Sequence, residues 1–149
     1  RLSNMPKPTS GRGRLVVVDS DPKFRKFVLE VAKSAVPDCR IQSASDGPMA
    51  LSLVEEFDPD ALVIDLDLHE LNGLEVVATL RGDKHYAGLP IIVISKQGSQ
   101  REANILGGLH VNYFLTKPVD RDELAGILRQ FLERRINLST RSSMPPPPK

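Results

Sequence analysis

Five short apolar runs, each followed by a stretch with helical spacing, restrict the possible folds of this chain more than any other feature. The runs are RLVVVD (14–19), CRIQSA (39–44), DALVID (60–65), PIIVI (90–94) and VNYFLT (111–116). They are rich in β-branched residues and too short for helices, which fits strands buried on both faces of a parallel sheet. After the first run, Phe24, Phe27, Val28, Val31 and Ala35 recur at spacings of three and four. Asp21-Pro22 supplies a cap and a first-turn residue, so a helix is predicted over Pro22 to Ala35. A second helix is expected at 46–57, broken by Asp58-Pro59. Asn72-Gly73 reads as a turn, followed by a helix through Leu74, Val77, Ala78 and Leu80 that ends near Gly82. A shorter polar helix, 98–107, should stop at Gly107-Gly108. The last begins near Asp120 with a stripe of Leu124, Ile127, Leu128, Phe131 and Leu132. Strands alternating with helices imply right-handed crossovers and an α/β, doubly wound, five-stranded parallel sheet. Strand order 2-1-3-4-5 is expected over 3-2-1-4-5, with a crevice beside strands 1 and 3.

The 149 residues suit one domain with irregular ends. Residues 1–13 are polar, with Pro, Gly and Ser, and are expected to be disordered, without a signal-peptide pattern. The domain is assigned to 14–136, and 137–149 reads as a Ser/Pro-rich linker or tail. Its four consecutive prolines favour extended geometry and are also a possible docking ligand. The chain starts at Arg1, which is expected of a processed product or an excised segment. A lone cysteine, Cys39, fits buried packing in a reducing, cytoplasmic setting. Twenty basic and nineteen acidic residues give a net charge of +1, so no bulk field draws the chain to nucleic acid or membrane. Arg129, Arg134 and Arg135 look like a solvated helix face.

Four of the strands lead to a reactive side chain: Asp19, Asp65, Ser95 and Lys117. In an open parallel sheet these positions converge at the carboxyl ends of the strands. Two carboxylates, a hydroxyl and an ammonium gathered there suit magnesium-assisted phosphoryl chemistry. Each also has a plainer reading: Asp19 as a helix cap, Asp65 as a salt-bridge partner of Lys117, Ser95 as a hydroxyl bonded to backbone.

The motifs VVDSDP, VIDLDLHELNGLEV, IIVIS and YFLTKP stand in one order and at separations that make the chain resemble the receiver domain of bacterial two-component response regulators. The likeness runs over about 14–135 and implies a flavodoxin-like, CheY-like (βα)5 fold. It implies that Asp65 is the phosphoacceptor, Lys117 the cation that neutralises phosphoryl oxygens, and Ser95 the hydroxyl that bonds the phosphoryl group. The peptide before Pro118 is expected to be cis. Phe114 falls at the aromatic switch position, or else is ordinary core packing. Metal ligands implied are Asp19, Asp65 and the main-chain carbonyl of Asp67, whose own carboxylate either adds charge beside the site or is solvated.

Ser20 departs from the pattern, because the family has its second acid there. A hydroxyl is a poorer ligand for a hard dication, so Ser20 is expected to bind Mg2+ weakly or through water. Asp21 is either a compensating acid or the helix cap. His69 stands where receivers often have proline and is expected at the surface. Implied partners are a histidine kinase or phosphotransfer protein, and a downstream protein or linked output domain. The face of the fourth helix, fifth strand and last helix is the expected switch surface, and a homodimer through it is possible. No enzymatic activity is expected beyond the chain's own phosphorylation and dephosphorylation. The alternatives are a degenerate receiver working through phosphorylation-independent contacts, motivated by Ser20 and His69, and a flavin- or nucleotide-binding enzyme. The latter lacks a glycine-rich phosphate cradle after the first strand.

Overall fold

Alternating side chains along the strands divide one sheet between two helical layers. The computed structural model describes residues 13–68, 70–96 and 100–133. The expectations for 1–12, His69, Arg134, Arg135 and the proline-rich stretch 137–149 therefore lie outside the described residues. The elements run β1 (Arg14–Val18), α1 (Pro22–Ala35), β2 (Arg40–Ala44), α2 (Gly47–Phe57), β3 (Ala61–Asp65), α3 (Gly73–Arg81), β4 (Ile91–Ser95), α4 (Gln100–Gly108), β5 (Tyr113–Thr116) and α5 (Arg121–Leu132). All strand pairings are parallel, in the order β2-β1-β3-β4-β5. The topology is the expected one.

Leu15, Val17, Ala61, Val63, Ile92 and Ile94 face a layer of α1 and α5, built on Val28, Val31, Leu124, Leu128 and Leu132. Their neighbours Val16, Val18, Leu62, Ile64, Ile91 and Val93 face α2, α3 and α4 through Ala50, Val54, Val76, Val77, Leu80 and Leu106. Full burial on both faces explains why β1, β3 and β4 read as unbroken apolar runs. Among the described residues no helix is long and apolar enough to cross a membrane.

Local chemistry sets the element ends. Asp21 caps α1 by accepting from the Lys23 amide at 2.9 Å, the cap role expected of it. Asn72-Gly73 is not a free turn: Asn72 caps α3 by accepting from the Glu75 amide, and Gly73 opens that helix. A Cβ at Gly73 would collide with the main-chain oxygen of Asp65 and lie 2.7 Å from the Leu66 Cα, so only glycine lets α3 start against the end of β3. Helix α4 ends at Gly108, as expected, and the left-handed residue after it is His110, at φ 56°. Strand β5 starts only at Tyr113, because the Asn112 side chain occupies a strand position, its Oδ1 accepting from the Ile91 amide at 2.9 Å. A one-turn 3-10 helix, Lys84–Tyr86, has no periodicity by which the sequence could announce it.

Cys39 is buried at 1% exposure, and burial pushes its thiol pKa up. The thiolate is the reactive form, and it is scarce here. Alkylation by iodoacetamide in native buffer should be at least about a hundredfold slower than in urea, because reaction waits on opening of the fold. Native and denatured rates within a few-fold of each other would contradict that burial.

Candidate functional site

The carboxyl ends of β1 and β3 lie side by side in the sheet, with Val18 paired to Ile64. Asp19 and Asp65, one residue further on, therefore leave adjacent strands into the same space. They are 1% and 3% exposed, and Ser95 at the end of β4 is 4% exposed; these are the buried polar residues among those described. Burying two carboxylates is unfavourable unless a cation and hydrogen bonds meet them. Both are met. The Lys117 ammonium donates to Asp19 Oδ2 at 2.9 Å and to Asp65 Oδ2 at 2.8 Å. The remaining oxygens accept from main-chain amides, Asp19 Oδ1 from Asp21 at 2.8 Å and Asp65 Oδ1 from Asp67 at 2.9 Å.

These contacts do not fully offset burial at Asp19. Desolvation holds its carboxyl above the usual carboxylate range, opposed by the Asp21 amide and Lys117 and reinforced by the neighbouring charge of Asp65. For Lys117, burial alone would lower the ammonium, but the hydrogen bonds and charges of Asp65 and Asp19 outweigh it and raise the pKa. The ammonium therefore holds its charge at neutral pH. Its contribution to stability is lost only as pH climbs beyond the ordinary lysine range.

Lys117 is delivered by the end of β5. Its amide donates to the Ser95 carbonyl at 2.8 Å, which ties the ammonium-bearing segment to the end of β4. The Lys117-Pro118 peptide is cis, as expected. Phe114 pairs in register with Val93 and packs, half-buried, against the α2/α3/α4 layer.

Ser20 sits beside the acids, and its hydroxyl donates to the Asp67 main-chain oxygen at 3.4 Å. The side chain that replaces the expected acid thus contacts the carbonyl expected to bind a metal. The carboxylates of Asp19 and Asp65 with that carbonyl form an all-oxygen donor set, the kind a small hard dication takes while keeping several waters. No group of three or more His, Cys, Asp or Glu side chains that could hold a metal is present among the described residues. The donors fit magnesium, one acid short.

Sequence reasoning missed two participants, both on the first turn of α1. The Arg25 guanidinium donates to the Asp19 main-chain oxygen at 2.6 Å, and the Lys117 ammonium lies 4.2 Å from the Phe24 ring centroid. Phe24 read simply as part of the apolar stripe. The one available signal was its place five residues after Asp19, a single helical turn from the site.

The model of the response regulator receiver domain matches residues 15–129. The chain is 30% identical over 122 residues to the DNA-binding dual master transcriptional regulator RpaA of Synechocystis sp., covering 81% of this chain and 49% of RpaA. It thus spans about half the length of that relative. Among solved structures, the chemotaxis response regulator CheY4 of Vibrio cholerae superposes with a TM-score of 0.72 at 21% identity, covering 80% of this chain and 98% of CheY4. The receiver domain of the sensor histidine kinase PA1611 from Pseudomonas aeruginosa, which has a magnesium ion coordinated in its active site cleft, gives 0.71 at 23% identity, covering 81% and 98%. At those identities the two structures speak for the fold.

Proposed function

Since this chain belongs to the response regulator receiver domain family, a signalling domain of two-component systems, we propose that Asp65 is its phosphoryl acceptor and that Asp19, Lys117 and Ser95 serve the transfer. The observation that carries this reading is one ammonium bridging two buried carboxylates from neighbouring strands, at 2.9 and 2.8 Å. A carboxylate oxygen of Asp65 attacks the phosphorus of a phosphohistidine on a kinase or phosphotransfer protein. The P–N bond breaks, the imidazole nitrogen keeps the electron pair and takes a proton, and an acyl phosphate remains. Water later attacks the phosphorus, releasing inorganic phosphate and restoring the carboxylate. Lys117 passes from Asp65 Oδ2 to a phosphoryl oxygen while keeping Asp19, so positive charge follows the transferred group.

Asp19, Asp65 and the Asp67 main-chain oxygen are the residues that would hold Mg2+, which when bound neutralises charge on the phosphoryl oxygens. Ser20 weakens that site, because it brings no charge and its hydroxyl engages the Asp67 oxygen. After transfer, the Ser95 hydroxyl bonds the phosphoryl group, and Phe114 moves into the space this leaves. The face of α4, β5 and α5 then changes its preference for a downstream protein, a linked output domain or a second copy of the chain. The buried free thiol of Cys39 fits a cytoplasmic setting.

Acetyl phosphate and magnesium test this directly. An alkali-labile adduct should appear by intact mass and be absent in Asp65→Asn. No adduct at saturating magnesium would reject the acceptor role and favour a phosphorylation-independent interaction module. Ser20→Asp should lower the magnesium needed for half-maximal adduct by roughly 10- to 100-fold, the range seen when a metal site's supporting groups change. An unchanged requirement would mean the metal ligands are misassigned.

A further inference from the structure

We infer that Phe24 is a positioning residue for Lys117, its ring holding the ammonium over the two acids while one of its partners changes; this rests on the acceptor role of Asp65. The ammonium has three N–H donors, and two are committed to Asp19 and Asp65. The Phe24 ring, centred 4.2 Å away, supplies a third contact. A cation this close to an aromatic face is attracted by the ring quadrupole, more strongly where water is excluded. During transfer the Asp65 contact must be given up, because that carboxylate loses its negative charge on becoming an acyl phosphate. Asp19 and the ring are the two contacts that do not change chemically, so together they guide the ammonium onto the phosphoryl oxygen.

The placement of Phe24 supports a role beyond core filling. It is half-buried, packs against Phe27 with ring centroids 5.6 Å apart, and with Phe27, Lys96, Lys117, Pro118 and Val119 lines a cavity of about 420 Å³. One side of the ring thus borders open space beside Lys117, and leucine could replace it without collapsing a sealed core. Leucine fills volume but has no negative face. Tyrosine keeps that face.

The test follows the Lys117 ammonium itself, by ¹⁵N-detected exchange of its Nζ protons with water, in parallel with adduct formation from acetyl phosphate. Phe24→Leu should speed Nζ proton exchange and slow adduct formation, each by roughly 2- to 30-fold, the span of cation–π strengths from exposed to desolvated sites. Phe24→Tyr should restore both. A merely structural role would lower the melting temperature of Phe24→Leu and leave Nζ exchange as in wild type; that result overturns the inference. So does failure of tyrosine to restore what leucine removes. Absence of adduct in every variant, with Nζ exchange still faster in Phe24→Leu, would overturn the acceptor assignment and uphold the ring's hold on the ammonium.

Discussion

Lys117→Met should lose about 3–5 kcal/mol of folding stability at neutral pH, the range for removing one partner of a buried ion pair. Lys117 bonds both acids, which have almost no access to water. Methionine fills much of the space of the lysine stem, so the loss reports charge more than packing. The pH dependence separates the two. Even with the lysine present, burial holds the Asp19 pKa above the usual range, and Lys117 is one of the contacts that lowers it. An acid with a raised folded pKa contributes stability below its unfolded pKa, and that contribution is lost as pH rises through the folded value. Deleting the ammonium moves the Asp19 value further up and widens that window. The deficit of Lys117→Met should therefore be largest near about pH 7.5 and shrink toward about pH 5. Adding Asp19→Asn should recover part of it, because the neutral amide leaves one buried charge fewer. Urea unfolding at both pH values measures this, and an equal deficit at both would mean that packing dominates.

The same burial explains why the site was legible at all. Side chains that end β1, β3 and β4 cannot be charged or hydroxylic by accident, because each follows a run sealed between two helical layers. The sheet order and the convergence of Asp19, Asp65 and Lys117 followed from that pattern. The cap at Asp21 was legible for a local reason, since it accepts from an amide two residues on, and the start of the last helix near Asp120 has the same origin. What escaped depends on distant parts of the chain. Ser20 was visible as a missing acid, but its contact with the Asp67 oxygen spans 47 residues. Asn72-Gly73 looked like a turn because nothing nearby reveals that α3 must start against the Asp65 main chain. Asn112 looked like strand and instead uses its side chain to hold the first amide of β4.

Replacing Arg81 should produce the second large effect. From the last turn of α3 its guanidinium reaches four main-chain oxygens: Leu109 and His110 at 2.8 and 3.1 Å, Tyr86 at 2.8 Å and Leu89 at 2.8 Å. Burial pushes its pKa down, but a guanidinium remains charged throughout. One side chain thus fastens the loop before β4 to the turn before β5, opposite the end of the sheet that carries the acids. Arg81→Met should lose about 2–4 kcal/mol, since carbonyls stranded away from water each carry a penalty and some will relax toward solvent. Arg81→Lys keeps the charge but has no planar fork to serve several oxygens at once, so it should recover less than half. Hydrogen exchange should locate the damage, with faster exchange over 84–90 and 107–112 and little change at Asp19 and Asp65. Stability of Arg81→Met within about 0.5 kcal/mol of wild type, the level of an ordinary surface substitution, would refute this role. If instead the loss appears and acetyl phosphate still modifies Asp65, the two ends of the sheet are energetically separate. The grip of Lys117 on its acids would then be set by α1 and the carboxyl ends of β1, β3, β4 and β5, whatever happens at the start of β4 and β5.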